Sequence, residues 1–120
     1  MKKILIIEDD KIIKNIIEFI LIKEGYEVEV AIDGLVGLAK IKSFLPDLII
    51  TDVLLPYKSG LEIISFTKSN NPLTPIIVIS SLGKEDITVI EAFKLGATDI
   101  IAKPFNPVEL KSKLKTFFAA

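Results

Sequence analysis

The stretch "ILIIEDDKIIKNIIEFILIKEGYEVEVA", Ile4 to Ala31, holds most of the fold in one unit. Four large apolar residues, Ile4 to Ile7, run straight into three acids, Glu8, Asp9 and Asp10. Behind the acids, Ile12, Ile13, Ile16, Ile17, Ile20 and Leu21 recur every three or four residues, with Lys14, Glu18, Lys23 and Glu24 mostly between them. That spacing is an amphipathic helix, and Gly25 is a natural stop for it. The run "VEVA" from Val28 to Ala31 then reads as a second strand. Strand, helix, strand with such short connections is the unit from which parallel sheets are built.

The same unit continues down the chain. Apolar runs recur as "LIIT" (48 to 51), "IIVIS" (76 to 80) and "DIIA" (99 to 102), mostly too continuously apolar to have one wet face. Helical segments are expected from about Leu35 to Phe44 behind the Asp33-Gly34 turn, from Gly60 to about Ser69, from about Lys84 to Lys94, and from about Pro107 to Phe118. Strand and helix alternate five times, so helices on both faces of a parallel sheet, joined by right-handed crossovers, are the economical arrangement. This is the α/β class, in three α/β/α layers.

Bulk composition narrows the chemistry. At 120 residues the chain is expected to be one domain, residues 1–120, with a core of its own. Half of it is hydrophobic, yet each apolar run is broken well before the roughly 18 residues that span a bilayer. No membrane contact is expected, and no cleavage site follows the basic start, so a cytoplasmic location is expected. There is no cysteine, which removes disulfides and thiolate chemistry, and no histidine, which removes imidazole catalysis and the usual zinc sites. The net charge of −1, from lysines and acids without arginine, argues against direct nucleic-acid binding. Carboxylates, hydroxyls and lysines must carry the function.

In an open parallel sheet, ligands bind beyond the carboxyl ends of the strands. The residues leaving those ends are Glu8, Asp9 and Asp10 after the first strand, Asp52 after the third, Ser80 and Ser81 after the fourth, and Lys103 after the fifth. Each alone has an ordinary explanation; Asp10, for example, suits the N-cap of the first helix. Acids, a hydroxyl and a lysine converging on one rim are much less readily accidental. Clustered carboxylates without a metal repel one another, so at least one is expected to hold its proton more tightly than a free acid.

In these residues the chain resembles the response-regulator receiver domains of bacterial two-component signalling. The resemblance rests on "ILIIEDD", Asp33-Gly34, "PDLIITDVLLP" from Pro46 to Pro56, Gly60, "PIIVISS" from Pro75 to Ser81, "GATDIIAKPF" from Gly96 to Phe105, and Glu109-Leu110. It implies a flavodoxin-like (βα)5 fold with sheet order 2-1-3-4-5. It also implies that Asp52 accepts a phosphoryl group from a histidine kinase or phosphotransfer protein, with Mg²⁺ as cofactor. Asp9, Asp52 and the carbonyl of Leu54 would then ligate Mg²⁺, Glu8 would act through a water, Ser80 would be the switch hydroxyl, and Lys103 would pair with the phosphoryl oxygens. A cis peptide is expected at Lys103-Pro104, and the readout surface around the fourth helix, fifth strand and fifth helix.

The chain also departs from the family's pattern. Ile100 stands where many receivers carry Tyr or Phe, and Leu54 and Leu82 lie two residues after Asp52 and Ser80, with no polar atom to orient a water. A monomer, or a homodimer formed on phosphorylation, is the expected assembly. The chain stops soon after the fifth helix, as in a single-domain regulator or a receiver cut from a longer one. Two other readings are a receiver that binds partners without phosphate and a Mg²⁺-dependent phosphatase, the latter disfavoured by Leu54 where such enzymes place a second acid.

Overall fold

The computed structural model describes residues 1–119. Its elements alternate strictly: β1 (Lys3–Ile7), α1 (Lys11–Lys23), β2 (Glu27–Ala31), α2 (Gly34–Phe44), β3 (Leu48–Asp52), α3 (Gly60–Asn70), β4 (Ile76–Ser80), α4 (Ile87–Leu95), β5 (Asp99–Ala102) and α5 (Pro107–Phe118). The strands form one parallel sheet in the order β2-β1-β3-β4-β5, as the resemblance implies.

Strand periodicity splits the core into two layers. Leu5, Ile7, Ile49, Ile76 and Val78 face one side, where they pack with Ile41 and Phe44 of α2, Ile63 and Ile64 of α3, and Ala92 of α4. Their neighbours Ile4, Ile6, Leu48, Ile50, Ile77, Ile79 and Ile101 face the other, against Ile17 and Leu21 of α1 and Leu110 and Leu114 of α5. Successive side chains on a strand point to opposite faces, so a continuous apolar run is what a sheet covered on both sides requires. Edge strand β2 departs from that rule. Val28 and Val30 pack against the second layer, whereas Glu29 pairs with Lys40 of α2 at 3.0 Å, and charged side chains on an edge discourage pairing with another chain.

Each helix begins on a short polar side chain that accepts a first-turn N–H: Asp10, Asp33, Ser59, Asp86 and Asn106. These caps satisfy donors that have no partner within the helix. They also place one boundary where periodicity did not. Helix α4 begins at Ile87 rather than near Lys84, because Asp86 accepts the Thr88 N–H at 2.8 Å and its own N–H closes a turn onto the Gly83 carbonyl at 3.0 Å.

Candidate functional site

The acids after β1 are sorted by how the strand ends. The Glu8 N–H donates to the Ala31 carbonyl at 3.0 Å, which extends the β1–β2 ladder one residue and turns the Glu8 side chain inward, leaving it 2% exposed. Asp9 points outward and is exposed. Asp10 caps α1, accepting from the N–H groups of Ile12 at 2.9 Å and Ile13 at 3.1 Å, and its own N–H donates to Glu8 Oε2 at 3.2 Å.

Asp52 ends β3 and is 8% exposed. Its Oδ1 accepts the Leu54 N–H at 3.1 Å and its Oδ2 meets Lys103 Nζ at 2.5 Å. The loop that leaves Asp52 folds back tightly: the Gly60 N–H donates to the Val53 carbonyl at 2.9 Å, and a Cβ on Gly60 would lie only 2.3 Å from the Asp52 carbonyl oxygen. Glycine is required there by close approach of backbone. Oxygen atoms of Glu8, Asp9 and Asp52 all lie within 4.8 Å of one another, so the structure brings together the three acids expected at the site.

Lys103 is placed by β5. Its N–H donates to the Ser80 carbonyl at 2.8 Å, and the Lys103-Pro104 peptide is cis, as the resemblance implies. Its ammonium reaches Glu8 Oε1 at 2.8 Å as well as Asp52. The angles of that Glu8 contact are outside those of a directed hydrogen bond, so Oε1 is a buried oxygen without one. Burial therefore pushes the Glu8 carboxyl above its ordinary 4.5; the Lys103 contact and the Asp10 N–H oppose the rise, and the charge on Asp52 adds to it. Burial alone would lower the Lys103 pKa, but its contacts with Asp52 and Glu8 outweigh that and raise it. One acid of the cluster thus holds its proton more tightly, as expected, but burial rather than crowding by the other acids is the main cause.

Ser80 is at the same rim but is engaged elsewhere. It is 2% exposed, and its hydroxyl oxygen accepts the Leu82 N–H at 2.9 Å, within its own loop. Among the described residues it makes no hydrogen bond to the acids. Ile100, 8% exposed, is packed inward on β5 beside a cavity of about 170 Å³ that Leu82, Lys84 and Lys113 help to line. Leu54, two residues beyond Asp52, is 59% exposed. The reading from sequence gave Lys103 one task, contact with a phosphoryl group, and missed its second, neutralising buried Glu8. It also took Asp33-Gly34 as a simple turn, where Asp33 is the N-cap of α2 and Gly34 its first residue.

The donor set is chemically coherent. Three carboxylates within 4.8 Å of one another, two of them buried, suit a hard divalent cation that prefers oxygen ligands and retains waters. A carboxyl group facing an ammonium suits transfer of an anionic group, in which charge must be neutralised more than protons moved.

Comparison with known proteins agrees. Residues 4–115 match the family described as "Response regulator receiver domain". The chain is 34% identical over 114 residues to the alkaline phosphatase synthesis transcriptional regulatory protein PhoP of Bacillus subtilis, covering 95% of this chain and 47% of that one. It is also 34% identical to the transcriptional regulatory protein DltR of Streptococcus agalactiae, covering 94% and 50%. The chain thus spans about half the length of the curated relatives it matches. Among solved structures, the chemotaxis response regulator CheY4 of Vibrio cholerae superposes with a TM-score of 0.90 at 34% identity, covering 98% of this chain and 99% of that one. A CheY-like receiver domain protein of Methanospirillum hungatei superposes at 0.91 with 33% identity, covering 97% and 92%. On its sequence, its sheet order and its acidic rim, the chain belongs to the response-regulator receiver-domain family.

Proposed function

We propose that residues 1–120 act as one phosphoacceptor switch in a two-component phosphorelay, with Asp52 as the acceptor. The observation that carries this reading is the placement of Asp52: its Oδ2 faces Lys103 at 2.5 Å, and its carboxylate lies within 4.8 Å of Glu8 and Asp9 oxygens. The donor is a histidine kinase or phosphotransfer protein. An Asp52 oxygen attacks phosphorus, the phosphorus–nitrogen bond of the donor phosphohistidine breaks, and an acyl phosphate forms on Asp52 while the imidazole leaves.

Receiver domains bind Mg²⁺ at an acidic pocket, and the residues that would hold it here are Asp9, Asp52 and the Leu54 carbonyl, with Glu8 acting through a water. The cation supplies charge neutralisation for the phosphoryl oxygens. Lys103 adds a compact cation fixed by β5. The Leu54 N–H orients the Asp52 carboxylate, and Glu8, held by the Asp10 N–H, keeps the Lys103 ammonium in the site.

Transfer adds about 1.5 to 2 negative charges and new acceptor oxygens to Asp52. The Ser80 hydroxyl accepts the Leu82 N–H and keeps its own hydrogen free to donate to them. A shift of Ser80 toward the phosphoryl group therefore draws on the loop it is bonded to, and the loop from Ser81 to Asp86 and α4 form the element that the charge biases. Readout falls to α4, β5 and α5, toward an output domain or separate partner, in a monomer or a phosphorylation-dependent homodimer. Among the described residues no helix is long and apolar enough to cross a membrane, and we place the protein in the cytoplasm with its kinase. The chain catalyses its own phosphorylation and slow dephosphorylation, with no other substrate.

The test is labelling by acetyl phosphate followed on a phosphate-affinity gel. A single Mg²⁺-dependent shifted band, absent in Asp52→Asn, is expected; a band that survives Asp52→Asn would overturn the assignment.

A further inference from the structure

The loop from Val53 to Ser59, which carries Leu54, is held at its far side by an element outside the acidic site. Gly34 is the first residue of α2, so its N–H has no partner within the helix. It donates to the Pro56 carbonyl at 3.2 Å. The loop then lies directly against the glycine: a Cβ at position 34 would be 1.8 Å from the Lys58 carbonyl oxygen and 2.6 Å from its carbonyl carbon. All of these are backbone atoms, so no side-chain rotation could relieve the clash.

The loop has little freedom to retreat. Pro56 has a fixed φ, and Tyr57 is in the left-handed region at φ +68°, which a non-glycine residue keeps only when its surroundings hold it there. At the end of the loop Gly60 is pinned to Asp52 and Val53, as described above. A push at Pro56 to Lys58 must therefore travel back toward Leu54, whose N–H orients Asp52 Oδ1.

We propose that Gly34 is a positioning residue for phosphoryl transfer: the N-terminus of α2 clamps the 53–59 loop and thereby sets the direction of both the Leu54 backbone and the Asp52 carboxylate. The proposal rests on Asp52 being the acceptor. Displacement of a catalytic group by about 1 Å can cost on the order of 100-fold in rate, so the clamp needs to move the loop only slightly to matter.

Gly34→Ala is compared with Gly37→Ala, a matched control on the same helix whose Cβ would press on the Ile7 side chain, 2.7 Å from Cδ1, rather than on the loop. Both variants are expected to melt earlier than the wild type. Only Gly34→Ala is expected to speed hydrogen exchange at the Leu54 amide without metal, and to raise the Mg²⁺ concentration for half-maximal acetyl phosphate labelling, each on the order of tenfold. Unchanged Leu54 exchange in folded Gly34→Ala, or an equal change in Gly37→Ala, would overturn the clamp. Should Gly34→Ala not fold, Pro56→Gly frees the same loop without altering α2 and is expected to shift both readouts in the same direction; no shift overturns the proposal. Failure of the wild type to label would instead remove the acceptor reading, and Leu54 exchange would still decide the clamp.

Discussion

Lys103 Nζ lies 2.5 Å from Asp52 Oδ2 and 2.8 Å from Glu8 Oε1, although 51 residues separate it from Asp52 and β4 stands between their two strands. One ammonium thus offsets two acids that the sheet forces together. Without it, Glu8 and Asp52 would face each other in a site where neither is well hydrated. Lys103→Met is expected to cost about 1–3 kcal/mol at neutral pH, below the range for wholly buried pairs because the lysine side chain keeps 17% of its exposure. Urea unfolding measures it, and adding Asp52→Asn in the same chain should recover much of the loss. An unchanged midpoint in Lys103→Met would show that the pair contributes nothing to stability.

Glu8 makes metal-free stability depend on pH in a definite direction. Burial holds its folded-state pKa above 4.5, so the folded chain binds that proton more tightly than the unfolded chain does. The stability gained from this group is complete below 4.5 and is lost as pH rises through the raised value. Glu8→Gln cannot titrate. Relative to the wild type it should therefore gain stability as pH rises above 4.5 and through the raised value, in the presence of a chelator. Parallel denaturation curves for the two proteins across that range would contradict this.

Mg²⁺ should stabilise the fold by occupying the acid cluster. At a free concentration about tenfold above its Kd, a ligand specific for the folded state adds about 1.4 kcal/mol, or about 5 °C in Tm for a domain near this size. Asp9→Ala should abolish most of that rise, since Asp9 is the exposed acid of the cluster and has least structural work to lose. A melt indifferent to millimolar Mg²⁺ would mean that the three acids gather for some other reason.

Much of this was legible in the sequence because strand and helix leave different periods. The continuous run from Ile4 to Ile7 announced a strand covered on both faces, and the core layers confirm it. The rim acids and Lys103 were legible because parallel strands all point their carboxyl ends the same way. Three things were not. The start of α4 hid because apolar spacing does not distinguish the turn before Asp86 from a first helical turn. The contact of Gly34 with the loop at Lys58 hid because it depends on the path of backbone between elements, which no local pattern encodes. Ser80 was correctly placed on the rim, but its bond to the Leu82 N–H depends on a loop conformation that composition does not fix.

Leu45 ends α2 in the left-handed region, at φ 53° and ψ 63°, with its side chain 60% exposed. A glycine adopts that conformation without the clash between Cβ and carbonyl that a leucine suffers. Leu45→Gly should therefore stabilise the domain by about 0.5–1 kcal/mol, after allowing for the extra freedom of glycine in the unfolded chain. Chemical denaturation measures the gain, and labelling at Asp52 should be unchanged because the end of α2 leads into the start of β3, the opposite end of the strand from Asp52. A loss of stability would show that the buried part of the leucine outweighs its backbone strain.

The phosphorylated state should be long-lived. Hydrolysis of an acyl phosphate needs a water aimed at phosphorus opposite the bond that breaks, and a polar side chain at the mouth is the usual means of aiming it. Here the mouth carries Leu54, 59% exposed, and Leu82, partly buried. Neither side chain has an atom that can hold a water. The aspartyl phosphate on Asp52 should persist for minutes or longer after donor is removed, and Leu54→Asn, which restores a hydrogen-bonding group at the mouth, should shorten that life by about tenfold, equivalent to about 1.4 kcal/mol of barrier. A chase on a phosphate-affinity gel reads both lifetimes. Decay of the wild type within seconds would mean that water reaches phosphorus without help from either position, and that the lifetime is set instead by how the Asp52 loop opens.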